Sequence, residues 1–119
     1  MATNEVTKDN FEEVVQEHAF VVLDFWADWC PPCKRFGPIF ERASDRHPDV
    51  FFGKVDTEAQ PELGQAFEIR SIPTVMVLRD ATVLHLQPGL LSAEQLDQLL
   101  NQARGLDMEE IRAAAAQQS

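Results

Sequence analysis

The chain of 119 residues is poor in cysteine, poor in basic residues and free of long apolar runs. Ten Lys and Arg stand against twenty Asp and Glu, giving a formal charge of −10. Nucleic acid and anionic membranes are therefore not expected partners, because binding phosphate needs clustered positive charge. No stretch approaches the ~20 apolar residues that span a bilayer. The polar start, Met1 to Asn10, holds no apolar signal-peptide core, so a cytoplasmic location is expected. Two cysteines are too few for a disulfide framework. In a reducing compartment a lone Cys-x-x-Cys is more often catalytic or metal-binding than a structural staple. With 45% hydrophobic and 25% charged residues, the length suits one globular domain with a real core.

Both cysteines lie in Trp29-Cys30-Pro31-Pro32-Cys33-Lys34, directly after the apolar run Phe20 to Ala27. Val21, Leu23 and Phe25 would face one way, Val22, Asp24 and Trp26 the other. A strand apolar on both faces belongs in the middle of a covered sheet. Before it, Thr7 or Asp9 can cap a helix carrying Phe11, Val14, Val15 and His18. After it, Phe36, Ile39, Phe40 and Ala43 mark the inner stripe of a second helix. Pro32 suits its first turn, Pro38 removes one of its hydrogen bonds and is expected to bend it, and His47-Pro48-Asp49 ends it.

Val50 to Asp56 reads as a strand, and a third helix is expected from Thr57 or Glu58 to about Phe67. Thr74 to Leu78 and Thr82 to Leu86 form a hairpin around Arg79-Asp80-Ala81. Ser92, with Gln95 completing a capping box, opens a last main helix striped by Leu96, Leu99, Leu100 and Ala103 and ended by Gly105. A short amphipathic piece with Met108 and Ile111 follows from Asp107. The order predicted is helix, strand, helix, strand, helix, strand, strand, helix. This is an α/β domain with a mixed sheet and right-handed crossovers.

Cys30 falls at a helix N-terminus, where free N–H groups and the macrodipole favour a thiolate. That makes it the candidate nucleophile, with Cys33 about a turn later and more buried as the resolving thiol. Asp24 stands in an apolar strand, where desolvation raises a carboxyl pKa. It is a candidate proton acceptor for Cys33. The plainer alternative is a structural ion pair. His18, His47 and His85 are expected in surface or packing roles, and Asp107, Glu109, Glu110 and Arg112 as a solvated helix face.

Asp24-Phe25-Trp26-Ala27, Trp29-Cys30-x-x-Cys33-Lys34, Pro38, Lys54-Val55-Asp56, Ile72-Pro73-Thr74 and Pro88-Gly89 together resemble the thioredoxin family in order and spacing. The resemblance spans roughly Val6 to Ala103. It implies a thioredoxin fold over residues 1–105, with a central mixed sheet flanked by helices, and a C-terminal helical extension over 106–119. It also implies an exposed Cys30, a cis Ile72–Pro73 bond facing the cysteines and Lys54 near Asp24. Trp29, Pro31, Pro32, Ile72, Pro73, Gly89 and Leu90 would form an apolar collar that binds an extended substrate segment. For Leu90, core packing is an equal alternative.

The activity implied is thiol-disulfide oxidoreduction, foremost as a protein disulfide reductase. Its substrates would be disulfide-containing proteins, a flavin-dependent thioredoxin reductase the electron donor, and a monomer the working form. The Cys30/Cys33 couple would be the only redox group, with no further cofactor and no metal. Three rival readings stand beside it: a disulfide oxidase or isomerase, a binding or chaperone module drawing on the C-terminal extension, and a zinc site shared between chains.

The chain departs from the family where Pro31-Pro32 replaces the usual Gly-Pro. A second proline removes one N–H near Cys30 and stiffens the loop. The first effect disfavours the reduced form, the second can act in either direction, and a displaced redox poise is expected. Ala81 and Ser71 replace frequent glycines in the hairpin turn and before Ile72, bearing on partner choice.

Overall fold

A computed structural model describes residues 3–118, with five strands and five helices among them. The sheet order is β1-β3-β2-β4-β5, with β1 (Thr3–Glu5), β2 (Phe20–Trp26), β3 (Phe51–Asp56), β4 (Thr74–Arg79) and β5 (Thr82–Pro88). β1 and β2 flank β3 in parallel, whereas β4 pairs antiparallel with β2 and with β5. This is a thioredoxin fold.

β2 is the central strand, and its alternation divides the core. Phe20 and Val22 join Phe36, Phe40, Phe52, Leu96 and Leu100 on the side of α2 (Pro31–Arg46) and α4 (Ala93–Arg104). Val21, Leu23 and Phe25 join Val14, Val15 and Leu63 on the side of α1 (Phe11–Glu17) and α3 (Pro61–Ala66). Asp24 and Trp26 therefore lie on the α2/α4 face, the layer that carries the cysteines.

The expected elements are present, with informative differences. β1 was not expected, because Thr3-Asn4-Glu5 has no apolar alternation. It exists through pairing with Phe52, Gly53 and Lys54, anchored by the fully buried Val6, whose N–H donates to the Lys54 carbonyl at 2.8 Å. Gly53 permits this approach: a Cβ there would stand 2.6 Å from Val6 Cγ2 and 2.7 Å from Leu23 Cδ2. α1 starts later than a Thr7 or Asp9 cap implies. Thr7 Oγ1 instead accepts from the N–H groups of Asp9 and Asn10, heading a turn that precedes the helix.

α3 is shorter than expected because Asp56 Oδ1 accepts from the N–H groups of Glu58 and Ala59, spending that stretch on a turn until Pro61 starts the helix. α2 continues through Pro38 to Arg46. The hairpin turns on Asp80 and Ala81, both at positive φ (50° and 61°), the primed turn that matches strand twist. The Ser92–Gln95 capping box is formed. Gly105 ends α4 at φ −81°, without a left-handed cap.

The last piece is a full helix, α5 (Met108–Gln118), capped by Asp107 and extended by its alanines, which have the highest helix propensity. Its polar face is not wholly solvated: Arg112 bonds Asp80 in the hairpin turn at 2.8 Å, and Met108 is buried. His47 is buried between Asp97 (2.8 Å from Nε2) and Arg104 (3.0 Å from Nδ1). Arg104 can only donate, so Nδ1 accepts and Nε2–H donates to Asp97. His18 stacks on Phe51 and His85 bonds Gln87, so all three histidines serve packing or the surface.

Candidate active site

The site begins where β2 stops. After Trp26 the chain turns through Ala27, and the Cys30 N–H donates back to the Ala27 carbonyl at 3.2 Å. A residue before proline is pushed out of the helical region, and Cys30 accordingly sits at φ −96°, ψ 105° as the N-cap of α2. Pro31 and Pro32 then fill the first helical positions, where their missing N–H groups leave no helical bond unmade.

Cys30 and Cys33 are joined in a disulfide, with Cα atoms 5.2 Å apart. Cys30 Sγ accepts from the Cys33 N–H at 3.3 Å. This is the third-position donor that an N-cap side chain ordinarily uses. Pro31 deletes an N–H at the first helical position, outside the usual capping set, and the Cys33 N–H remains as the donor to Cys30. Cys30 is only 2% exposed, as buried as Cys33 at 3%, so the expected contrast between them is not present in the oxidised form. The Ile72 carbonyl oxygen lies 3.7 Å from Cys30 Sγ, and the Ile72–Pro73 bond is cis.

On the face of β2 that looks towards α2 and α4, Asp24 is fully buried and neither carboxylate oxygen has a hydrogen-bond partner within the protein. Burial pushes its pKa up to about 7, against a smaller opposing pull from Lys54. Lys54 is directly opposite Asp24 in the β2–β3 register, yet its ammonium lies over the Trp26 ring, 5.0 Å from the centroid. The plain ion pair is thus not made.

In front, Trp29, Pro31, Pro32 and Ile72 line an open groove of about 740 Å³ together with Cys30. Pro73, Gly89 and Leu90 are not part of that groove's wall. They are held beside it by the Gly89 N–H, which donates to the Pro73 carbonyl at 2.8 Å. Leu90 is 42% exposed, which removes the core-packing alternative, and its neighbour Leu91 takes the buried position instead.

A family model described as Thioredoxin matches residues 2–102. A thioredoxin-type protein of Streptomyces coelicolor is 54% identical over 117 residues, covering 98% of this chain and 87% of that protein. Thioredoxin C-3 of Corynebacterium nephridii is 38% identical over 99 residues, covering 82% and 68%. The chain belongs to the thioredoxin family. Among solved structures, a mutant thioredoxin from Halobacterium salinarum superposes with a TM-score of 0.83 at 25% identity, covering 89% of this chain and 94% of that one. A Plasmodium falciparum thioredoxin gives 0.78 at 30%, covering 83% and 97%.

Family and disulfide together make this thioredoxin relative a thiol-disulfide oxidoreductase, a protein-disulfide reductase. Among the described residues, no group of three or more His, Cys, Asp or Glu could hold a metal ion. No described helix is long and apolar enough to cross a membrane.

Sequence reasoning missed the opposite wall of the groove, where α3 and the loop after it bring Gln65, Glu68 and Arg70. It also missed Glu58, which accepts from Trp29 Nε1 at 2.6 Å and holds the exposed indole in place. Glu58 is 29 residues from Trp29, and its acidic character is accounted for locally by a helix start. No signal in the chain could have paired them.

Proposed function

We propose that Cys30 is the attacking thiol, Cys33 the resolving thiol and Asp24 the proton acceptor of this reductase. In the reduced protein the Cys30 thiolate attacks one sulfur of a substrate disulfide. A Cys30–substrate bond forms, the substrate S–S bond breaks, and the departing sulfur takes up a proton. Cys33 then gives its proton to the Asp24 carboxylate and attacks Cys30 Sγ. This closes the Cys30–Cys33 bond and breaks the Cys30–substrate bond; the second substrate sulfur leaves as a thiolate that takes up a proton, so that two electrons and two protons have passed to the substrate.

The observation that carries this reading is the pairing of a disulfide at a helix N-terminus with a buried carboxyl poised at about 7. Near neutral pH such a group both takes and returns a proton, which a free aspartate does not do efficiently. The Cys33 N–H at 3.3 Å would stabilise the Cys30 thiolate as it now holds the sulfur of the disulfide. Lys54 tunes Asp24 by its field.

Trp29, Pro31, Pro32, Ile72, Pro73, Gly89 and Leu90 serve as the substrate collar. Their mostly backbone and apolar surface suits extended segments of many disulfide-containing proteins rather than a single one. We also infer that a thioredoxin reductase recharges the couple, that the protein works as a cytoplasmic monomer without another cofactor, and that residues 106–119 extend a thioredoxin domain of residues 1–105.

Trapping tests the assignment. A Cys33→Ser variant should accumulate mixed disulfides with protein partners on Cys30, released by dithiothreitol and absent in Cys30→Ser. Equal trapping by the two variants, or none by either, would remove Cys30 as the nucleophile.

A further inference from the structure

We propose that Trp26 is a positioning residue of the proton-transfer site: its indole face holds the Lys54 ammonium away from Asp24, so that the acid feels the lysine without being bound by it. The functional consequence rests on Asp24 being the proton acceptor; the positioning itself does not.

The strand pleat sets up the competition. Asp24 and Trp26 are two residues apart on β2 and face the same layer, and Lys54 is opposite Asp24 on the parallel neighbour β3. A flexible lysine so placed would ordinarily close on a buried carboxylate, since a charge-assisted bond is among the strongest available to either group. Here both carboxylate oxygens are left without a partner in the protein. The ammonium is instead 5.0 Å from the centroid of the Trp26 ring, within the range of a cation–π contact, and tryptophan offers the best such face. Helix α2 closes the other side: a Cβ at Gly37 would stand 3.8 Å from Lys54 Nζ.

Other groups around Asp24 do not substitute for Lys54. β4 presents Val75 opposite Asp24, and α4 meets this face with Leu96 and Leu100. Asp56, opposite Trp26 in the register, spends its carboxylate on the N–H groups of Glu58 and Ala59. From α2, Cys33 is held in the disulfide and carries no charge in the oxidised protein. Among the described residues Lys54 is the one charge that pulls on Asp24 appreciably. The position of its ammonium therefore governs how tightly the acid keeps its proton.

The test is the titration of the Asp24 carboxyl, followed by carbon NMR, in the wild type, Trp26→Leu, Trp26→Phe and Lys54→Met. In Trp26→Leu the ammonium is free to pair with Asp24, and the midpoint should fall by about one pH unit, a tenfold loss of proton affinity. Trp26→Phe keeps a weaker aromatic face and should fall less. In the Lys54→Met background Trp26→Leu should move the midpoint little. Trp26→Met replaces Trp26→Leu if the latter does not fold.

An unchanged midpoint in Trp26→Leu, or an equal fall with and without Lys54, would overturn the positioning role. The pH profile of disulfide reduction separates the two claims. A midpoint that falls while the rate profile stays where it was upholds the positioning and refutes Asp24 as acceptor.

Discussion

Replacing Asp24 by asparagine isolates the energetic cost of keeping an ionisable group in the core of this fold. The unfolded chain loses the Asp24 proton near the ordinary 3.8, whereas the folded protein keeps it until about 7, because burial penalises the carboxylate. Between these values the folded state binds the extra proton, so stability falls as pH rises. The gap is about three pH units, and at about 1.4 kcal/mol per unit the loss is about 4 kcal/mol. That stabilisation is fully present below about pH 4 and gone above about pH 7, where both states are ionised and the fold bears the desolvated charge. Asparagine carries no such dependence.

The stability of Asp24→Asn relative to the wild type should therefore rise by about 4 kcal/mol from pH 4 to pH 7.5 and then level off. Any constant cost of burying the amide drops out of this comparison. Urea unfolding of the oxidised proteins, measured at intervals from pH 4 to 9, reads the difference directly. A difference that is flat with pH, or that grows towards acid, would refute the reasoning, because each requires an Asp24 that titrates no higher in the fold than outside it.

Other expectations follow from backbone and packing. Gly53→Ala places a methyl 2.6 Å from Val6 and 2.7 Å from Leu23, and overpacking of this kind should cost about 1–3 kcal/mol in denaturant unfolding. An unaltered midpoint would mean that β1 yields freely. Ala81→Gly relieves a non-glycine residue at φ 61° and should stabilise by about 1 kcal/mol, visible as a higher melting temperature. Pro31→Gly frees the unfolded chain and should destabilise the reduced protein by about 1 kcal/mol. Its glutathione equilibrium should also differ from the wild type, and coincident titrations would show that the second proline does not set the redox poise.

How far the chain could be read depends on the range of the forces involved. The start of α2 at the cysteine motif and the Ser92–Gln95 box arise between residues a few positions apart, and they were legible. So were the two faces of β2, because a strand's alternation is written in consecutive side chains. β1 was not legible: three polar residues form a strand only because β3 offers them an open edge and Gly53 lets Val6 close in. The same applies to the short α3, where an aspartate side chain competed with the helix for the same N–H groups.

By itself the sequence determined the cysteine pair, its place at a strand-to-helix junction and the presence of an acid inside the apolar central strand, since each follows from residue type, spacing and local conformation. The tertiary structure alone decided how that acid behaves. Asp24 reaches about 7 because α2 and α4 exclude water from its face of the sheet. Lys54 leaves it unpaired because an indole two residues along β2 claims the ammonium. Desolvation and charge placement depend on atoms distant in the chain, and only the folded arrangement brings them within reach of one another.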